Sequence, residues 1–317
     1  MNSVLFQPAD AVPFFPVEIA APDLSVWRVG NTGLPGFWSF TAVAPGPHVA
    51  LTALLHGNEI AGAHVLAGLL MGEVRPARGR LTLGFANLDA FDRFDPAQPT
   101  ASRFVDEDLN RLWDPAVLDG SRTSVELQRA RAMRPLMDTV DVLLDLHSML
   151  WPSEPLILCG PSAKGRALAM ALAVPSLVVA DAGHVSGPRL IDYARFVDPG
   201  QDAVACLVEA GQHWVHSTVD VAGACATAVL AHTELAPPAI PQPSPRCAEV
   251  TEAITAATAG FTFARPYRGG EVVPARGTLI ALDGTSEIRT PYDDCLLVMP
   301  SLRPSRGHTA VRLARFT

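Results

Sequence analysis

The sequence predicts an α/β fold, a largely parallel or mixed sheet flanked by helices, with a small β domain at its carboxyl end. Three observations predict it. Five short apolar runs lack polar alternation, the pattern of strands covered on both faces. Segments of helical length separate them, and alternating strands and helices are the signature of a layered α/β domain. A proline-rich stretch at 237–246, PPAIPQPSPR, then changes the texture, and glycine and proline punctuate everything after it.

In chain order, His48–Leu55 (HVALTALL) reads as the first buried strand. The Ala- and Leu-rich stretch Glu59–Met71 is helical. Leu81–Ala86 is a second strand. Thr123 with Glu126 reads as a capping box opening a helix toward Val140. Val140–Leu146 (VDVLLDL) is a third strand, Leu177–Ala180 a fourth and Ala203–Val208 a fifth. Ser162 caps a helix through Ala173, and Ser217 one through Ala231. Past the proline stretch, Phe261–Ala264, Glu271–Val273, Thr278–Ala281, Leu296–Met299 and Ala310–Leu313 read as short strands. The expected division is residues 1–236 for the α/β domain and 237–317 for a stiff linker and the β domain.

Composition excludes several classes. The 317 residues are 49% hydrophobic, too apolar for a disordered chain. No run approaches the ~18–20 apolar residues that span a bilayer. With 24 Lys+Arg against 32 Asp+Glu the net charge is −8, which disfavours a general nucleic-acid binder. Residues 1–18 hold no basic start and no long apolar core, and Pro13 and Pro16 interrupt them, so they do not read as a secretory leader. Five scattered cysteines with no CxxC pair indicate neither a disulfide framework nor a thiolate metal site, and a reducing cytoplasm is the expected compartment.

The chemistry gathers at strand ends. His56-Gly57-Asn58-Glu59 follows the first strand and opens a helix. A His and a Glu three apart at such a turn can share a metal, though the pair alone fits equally a packed His and a capping Glu. Asp145-Leu146-His147-Ser148 ends another strand, Glu209 follows the fifth, and Asn87 follows the second. Carboxyl ends of strands are where open α/β sheets bind ligands. Carboxylates gathered there need a cation to meet. Two imidazoles and one carboxylate form a catalytic zinc set with one open position, and a further carboxylate can serve as base. His213 and His216 form a competing HxxH, read as a surface pair at a helix start. Arg103 to Arg111 (RFVDEDLNR) is either a solvated charged loop or a carboxylate-binding element built on the guanidinium fork.

HGNE, Arg103 with Asp108-Leu-Asn-Arg111, DLH and VEAGQH, in that order over roughly residues 51–216, resemble the succinylglutamate desuccinylase and aspartoacylase family, itself related to zinc carboxypeptidases. The tail ALDGTSEIRTPYDDCLLVMP resembles that family's carboxyl-terminal β domain. The resemblance implies a zinc-carboxypeptidase-like fold whose β domain covers the cleft. It implies one Zn2+ per chain on His56, Glu59 and His147. Glu209 would be general base and then acid, assisting water's attack on an amide. Arg103 would polarise the scissile carbonyl, Asn110 and Arg111 would grip a substrate carboxylate, and Asp108 would orient His56. The family's specificity-setting tyrosine and further arginine are not placed by any motif, although Arg189 and Arg195 are near in sequence.

The expected activity is therefore a zinc-dependent deacylase cleaving the amide bond of an N-acyl amino acid or similar small carboxylate. The rivals are a carboxypeptidase acting on short peptides and a zinc-binding regulator without catalysis. The expected partner is the small N-acyl substrate, with no nucleic acid and no membrane. The sequence leaves a homo-oligomer open.

Overall fold

The computed structural model describes residues 15–238 and 244–317. Residues 1–14 and the middle of the proline stretch, 239–243, lie outside it.

An eleven-stranded mixed sheet forms the body. Its first part comprises β1 (Phe37–Thr41), β2 (His48–Ala53), β3 (Arg80–Phe85) and β4 (Val142–Met149). To these are added β5 (Leu156–Leu158), β6 (Leu177–Ala180) and β7 (Val204–Gln212). The later strands are β8 (Arg246–Thr255), β10 (Val272–Val273), β13 (Cys295–Val298) and β14 (Thr309–Phe316). The order is β1-β3-β2-β4-β7-β5-β6-β8-β14-β13-β10, so the strands after residue 246 continue the sheet of the strands before it. Strands β3, β2, β4 and β7 are parallel, and β5 pairs with β7 antiparallel. A separate three-stranded sheet joins β9 (Phe261–Phe263), β11 (Leu279–Asp283) and β12 (Ser286–Arg289).

Helices cover both faces, as unbroken apolar strands require. On one face lie α1 (Ile60–Met71), α5 (Ala163–Leu172) and α7 (His216–His232). The other carries α4 (Val125–Met137) and the short turns around Leu109–Trp113 and Leu190–Phe196. The remaining helices are single turns: α2 (Leu88–Phe91), α3 (Pro115–Leu118) and α6 (Ala194–Val197). A third cluster packs Phe261, Phe263 and Tyr267 against Val311 and Leu313.

The five expected buried strands are present. The missed strands have physical reasons: β1 is a half-exposed edge, β5 has three residues, and β8 and β12 are largely exposed and polar. Two caps differ from expectation. Ser124, one residue after Thr123, caps α4 by accepting from Leu127 N, and Glu126 is buried for another purpose given below. Helix α7 starts at His216, its N-cap Val215 having no side-chain acceptor, so Ser217 lies inside it. Ser162 caps α5 as expected, through Gly165 N.

Candidate active site

Helix α1 begins directly after the HGNE turn. Glu59 stands at its N-cap but makes no capping bond, which frees its carboxylate to turn toward the imidazoles. Gly57 has no substitute here: a Cβ would lie 2.3 Å from Ala90 C and 2.6 Å from Ser102 O. Gly57 N also donates to Arg103 O, which ties the arginine loop to the turn.

His56 Nδ1 lies 2.8 Å from Glu59 Oε1, and His147 Nδ1 lies 2.9 Å from Glu59 Oε2. All three residues are buried, and their ligand atoms fall within 4.8 Å of one another, so they could hold a metal ion. The opposite ring nitrogens are both taken by carboxylates. His56 Nε2 meets Asp108 Oδ1 at 2.9 Å, and His147 Nε2 meets Asp145 Oδ2 at 2.7 Å. A carboxylate behind each ring holds the proton on Nε2 and leaves the Nδ1 lone pair for a cation. Thr52 Oγ1 in turn donates to Asp145 Oδ1, as the β2–β4 register, Thr52 opposite Asp145, prescribes.

Glu209 pairs with His147 across β4–β7 and is 7% exposed, with Oε2 lacking any partner among the described residues. Burial, then the neighbouring Glu59 carboxylate, pushes its carboxyl up to about 8. Burial also opposes the charge on Glu59, yet the two imidazoles hold its carboxyl well below the usual range. Four carboxylates thus surround two imidazoles, and among the described residues Arg103 is the one arginine paired with Glu59. That donor set fits a divalent cation, and an orphaned buried carboxylate oxygen beside it fits a base.

Arg103 contacts Glu59 Oε1 and Asp108 Oδ2, both at 3.3 Å, and its Nη2 lies 2.8 Å from His56 Nε2. A ring nitrogen that donates to Asp108 accepts nothing from Arg103, so the guanidinium is only loosely tethered. Its loop is fixed firmly. Glu126, fully buried, accepts from Val105, Asp106 and Glu107 N at 2.6, 3.0 and 3.2 Å. It also takes Asn87 Nδ2, so Asn87 braces this loop and caps Ala90 rather than facing the His-Glu-His cluster.

Asn110 Oδ1 accepts from Leu190 N at 2.8 Å, which fixes the residue but occupies its oxygen. Arg111 donates to Asn110 O, and its nearest carboxylate is Asp108 Oδ2 at 3.9 Å; none of Asp106, Glu107 or Asp114 braces it. Burial and the charges of Arg103, Arg189 and Arg312 push its guanidinium down to about 10.

Several residues fall where sequence reading did not put them. His213 is buried, not on the surface, and its Nδ1 meets Ser148 Oγ at 2.7 Å; Ser148 N donates to Glu59 Oε2. His216, by contrast, is exposed at the start of α7, as the sequence reading had it. Arg189 is buried against Asp181 and Asp192, and Arg195 is spent on Val140 O and Asp141. Asp145 was legible in principle: two residues before His147 on one strand, it must share that face.

A mixed sheet carries, at adjacent strand ends, a buried His-Glu-His cluster that could hold a metal ion. The model for the succinylglutamate desuccinylase/aspartoacylase catalytic domain matches residues 45–220, and the chain belongs to that family. A succinylglutamate desuccinylase from Pseudoalteromonas atlantica is 36% identical over 136 residues, 38% of this chain and 37% of the relative's length. The crystal structure of succinylglutamate desuccinylase from Vibrio cholerae superposes with a TM-score of 0.69 at 17% identity, covering 89% of this chain and 85% of that one. A product-bound ectoine utilization protein from Ruegeria pomeroyi superposes at 0.63 with 20% identity, covering 93% and 92%. These structures share the fold. Among the described residues no helix is long and apolar enough to cross a membrane.

Proposed function

We propose that the protein is a zinc-dependent amidohydrolase that removes the acyl group from an N-acyl amino acid or a similar small carboxylate. One observation carries this reading: the buried His56, Glu59 and His147 donors converge beside Glu209, whose free oxygen has no partner among the described residues. Zinc on those three residues would supply Lewis acidity toward both water and the amide carbonyl. Asp108 and Asp145 keep the imidazoles in the ligating tautomer. Glu209 removes the proton from water as it attacks the carbonyl carbon, then delivers it to the departing amine nitrogen. Burial favours that return, because it raises the basicity of the carboxylate. Arg103, loosely held, donates to the carbonyl oxygen as negative charge develops there. Arg111, with no close carboxylate of its own, takes the carboxylate of the substrate, and Asn110 supports it.

The test is a screen of purified, zinc-loaded protein against N-acetyl, N-succinyl and N-formyl amino acids and short peptides, following free amine. Release from an N-acyl amino acid, abolished with metal loss in His147→Ala, is the expected result. Cleavage confined to peptides would instead favour the carboxypeptidase reading. Full metal occupancy in His147→Ala, with an empty site in the His213 and His216 double variant, would overturn the ligand set.

A further inference from the structure

Glu126 is fully buried in the first turn of α4, and the helix itself has no need of the carboxylate. Ser124 already caps α4 through Leu127 N, and the other residues that α4 buries, Leu127, Ala130, Met133 and Met137, are apolar. Burying a carboxylate is costly unless hydrogen bonds meet it. Here they meet it fully. An ionised carboxylate offers about four acceptor sites, and four N–H groups fill those of Glu126. Oε1 takes Val105 N at 2.6 Å and Asn87 Nδ2 at 3.0 Å. Oε2 takes Asp106 N at 3.0 Å and Glu107 N at 3.2 Å. The grip is mutual, since Asp106 Oδ2 accepts from Val125 N at 2.8 Å.

The gripped residues lie between Arg103 and Asp108. From Arg103 to Asp108 no apolar side chain is buried: Phe104 is exposed and Val105 is half-buried. Packing therefore does not fix this stretch, and hydrogen bonds must. Arg103 O accepts from Gly57 N at 3.0 Å, and the next backbone anchors along the chain are the three amides on Glu126. The Arg103 guanidinium is loosely tethered, by contacts of 3.3 Å to Glu59 and Asp108. Its backbone thus decides where it stands. The far half of the loop has anchors of its own. Leu109 and Asn110 are buried, Asp108 Oδ1 accepts from Asn110 N, and Asn110 Oδ1 accepts from Leu190 N. One end of the loop is therefore held by the segment after β6, and the end that carries Arg103 by Glu126.

We infer that Glu126 is a positioning residue for amide cleavage: by holding residues 105–107 it sets Arg103 where the scissile carbonyl oxygen meets it. This rests on the deacylase reading, in which Arg103 donates to that oxygen as charge develops. It adds to that reading a residue that touches neither the metal ligands nor the substrate. The division of the loop makes the effect selective. Arg111 and Asn110 keep their anchors when Glu126 is changed, so substrate binding holds while the transition state loses its donor.

The experiment is a double-mutant cycle on folded, zinc-saturated protein, with the best N-acyl amino acid from the screen. Glu126→Gln turns an NH2 group against donors, and should lower kcat about 10- to 100-fold, the cost of a misplaced catalytic group. KM should stay within about threefold, as for an independent site. Arg103→Gln alone should cost about 10²- to 10³-fold in kcat, the worth of an oxyanion donor. Glu126→Gln added to Arg103→Gln should cost less than about threefold more, because the residue it positions is already gone. Glu126→Asp keeps the charge with a shorter reach and should recover part of kcat. It also runs the cycle if Glu126→Gln does not fold. Losses that multiply in full in the double variant would overturn the inference. So would a lowered melting temperature with wild-type kcat, the mark of a purely structural brace. Should no N-acyl amino acid be turned over, the deacylase reading fails separately, and hydrogen exchange decides for Glu126. The amides of residues 105–107 should then exchange faster in both variants while those of β4 do not change, and unaltered exchange at 105–107 would sink the proposal.

Discussion

Replacing Asp145 by asparagine tests the metal site through a residue that touches no substrate. Asp145 accepts twice, from Thr52 Oγ1 and from His147 Nε2, each at 2.7 Å. In the Asp145→Asn variant one of these positions becomes an NH2 group. If the oxygen stays with Thr52, the amide nitrogen faces the Nε2 proton, donor against donor. His147 then relieves the conflict by moving its proton to Nδ1, the atom 2.9 Å from Glu59 that must carry a lone pair to ligate. If the amide flips, the Thr52 hydroxyl meets the NH2 group and must turn away, which costs about 1 kcal/mol. Both outcomes weaken the same ligand. Loss of such a carboxylate typically costs 10- to 100-fold in metal affinity, or about 1.4–2.7 kcal/mol. The assay is zinc competition against a chromophoric chelator, on folded protein verified by circular dichroism. Thr52→Val should weaken zinc by a smaller factor, because the carboxylate still orients His147. An Asp145→Asn protein that binds zinc as tightly as wild type would show that the pair does not set the ligating tautomer.

Glu209→Gln should retain zinc while turnover falls about 10²- to 10⁴-fold, the usual worth of positioned proton transfer; near-normal kcat would remove Glu209 from the reaction. Arg111→Lys should raise KM for the acid substrate and far less for its methyl ester, since lysine lacks the bidentate fork; equal losses would make it a structural brace. His48 gives a pH dependence well away from the metal. Buried between Thr82 Oγ1 and Thr139 O, it is pushed down to about 4 from an ordinary 6.5, first by burial and then by Arg80. The unfolded chain therefore binds its proton more readily, so stability present above pH 6.5 is lost as pH falls toward 4. The expected loss is about 3 kcal/mol. Urea unfolding from about pH 7 to 4.5 should show a steeper decline for wild type than for His48→Gln, and parallel curves would contradict it.

What the sequence made legible was local. Unbroken apolar runs marked the five central strands, because both faces of a parallel block are buried and hydropathy alone records that. HGNE, DLH and the glutamate of VEAGQH were legible because a strand end fixes where its next side chain must go. The less legible parts depend on pairing between distant segments. Glu126 looked like half of a capping box, since a Thr three residues before a Glu is how such boxes are spelled. In the structure Ser124 caps the helix and Glu126 takes three loop amides from residues 105–107. No helical rule could reveal that, because the partners lie about twenty residues upstream. His213 looked like a surface residue because it precedes a helix, but the β4–β7 neighbourhood buries it against Ser148.

Arg312 is the extreme case of the same limit. Its place on the face of Glu209 depends on four consecutive strand pairings, in a sheet that runs unbroken from β7 through β5, β6 and β8 to β14. A one-residue slip of β14 would turn it to the opposite face. The register that prevents this is held by its neighbours Ala314 and Leu313, which bury on opposite sides of the sheet, Ala314 in the cluster facing the cleft and Leu313 against the three-stranded sheet. An arginine placed beside residues so constrained stands on the face of the sheet that carries Glu209. The apolar pattern of the last strand thus fixes the side of the sheet on which Arg312 stands, as the HGNE turn fixes where His56 and Glu59 meet.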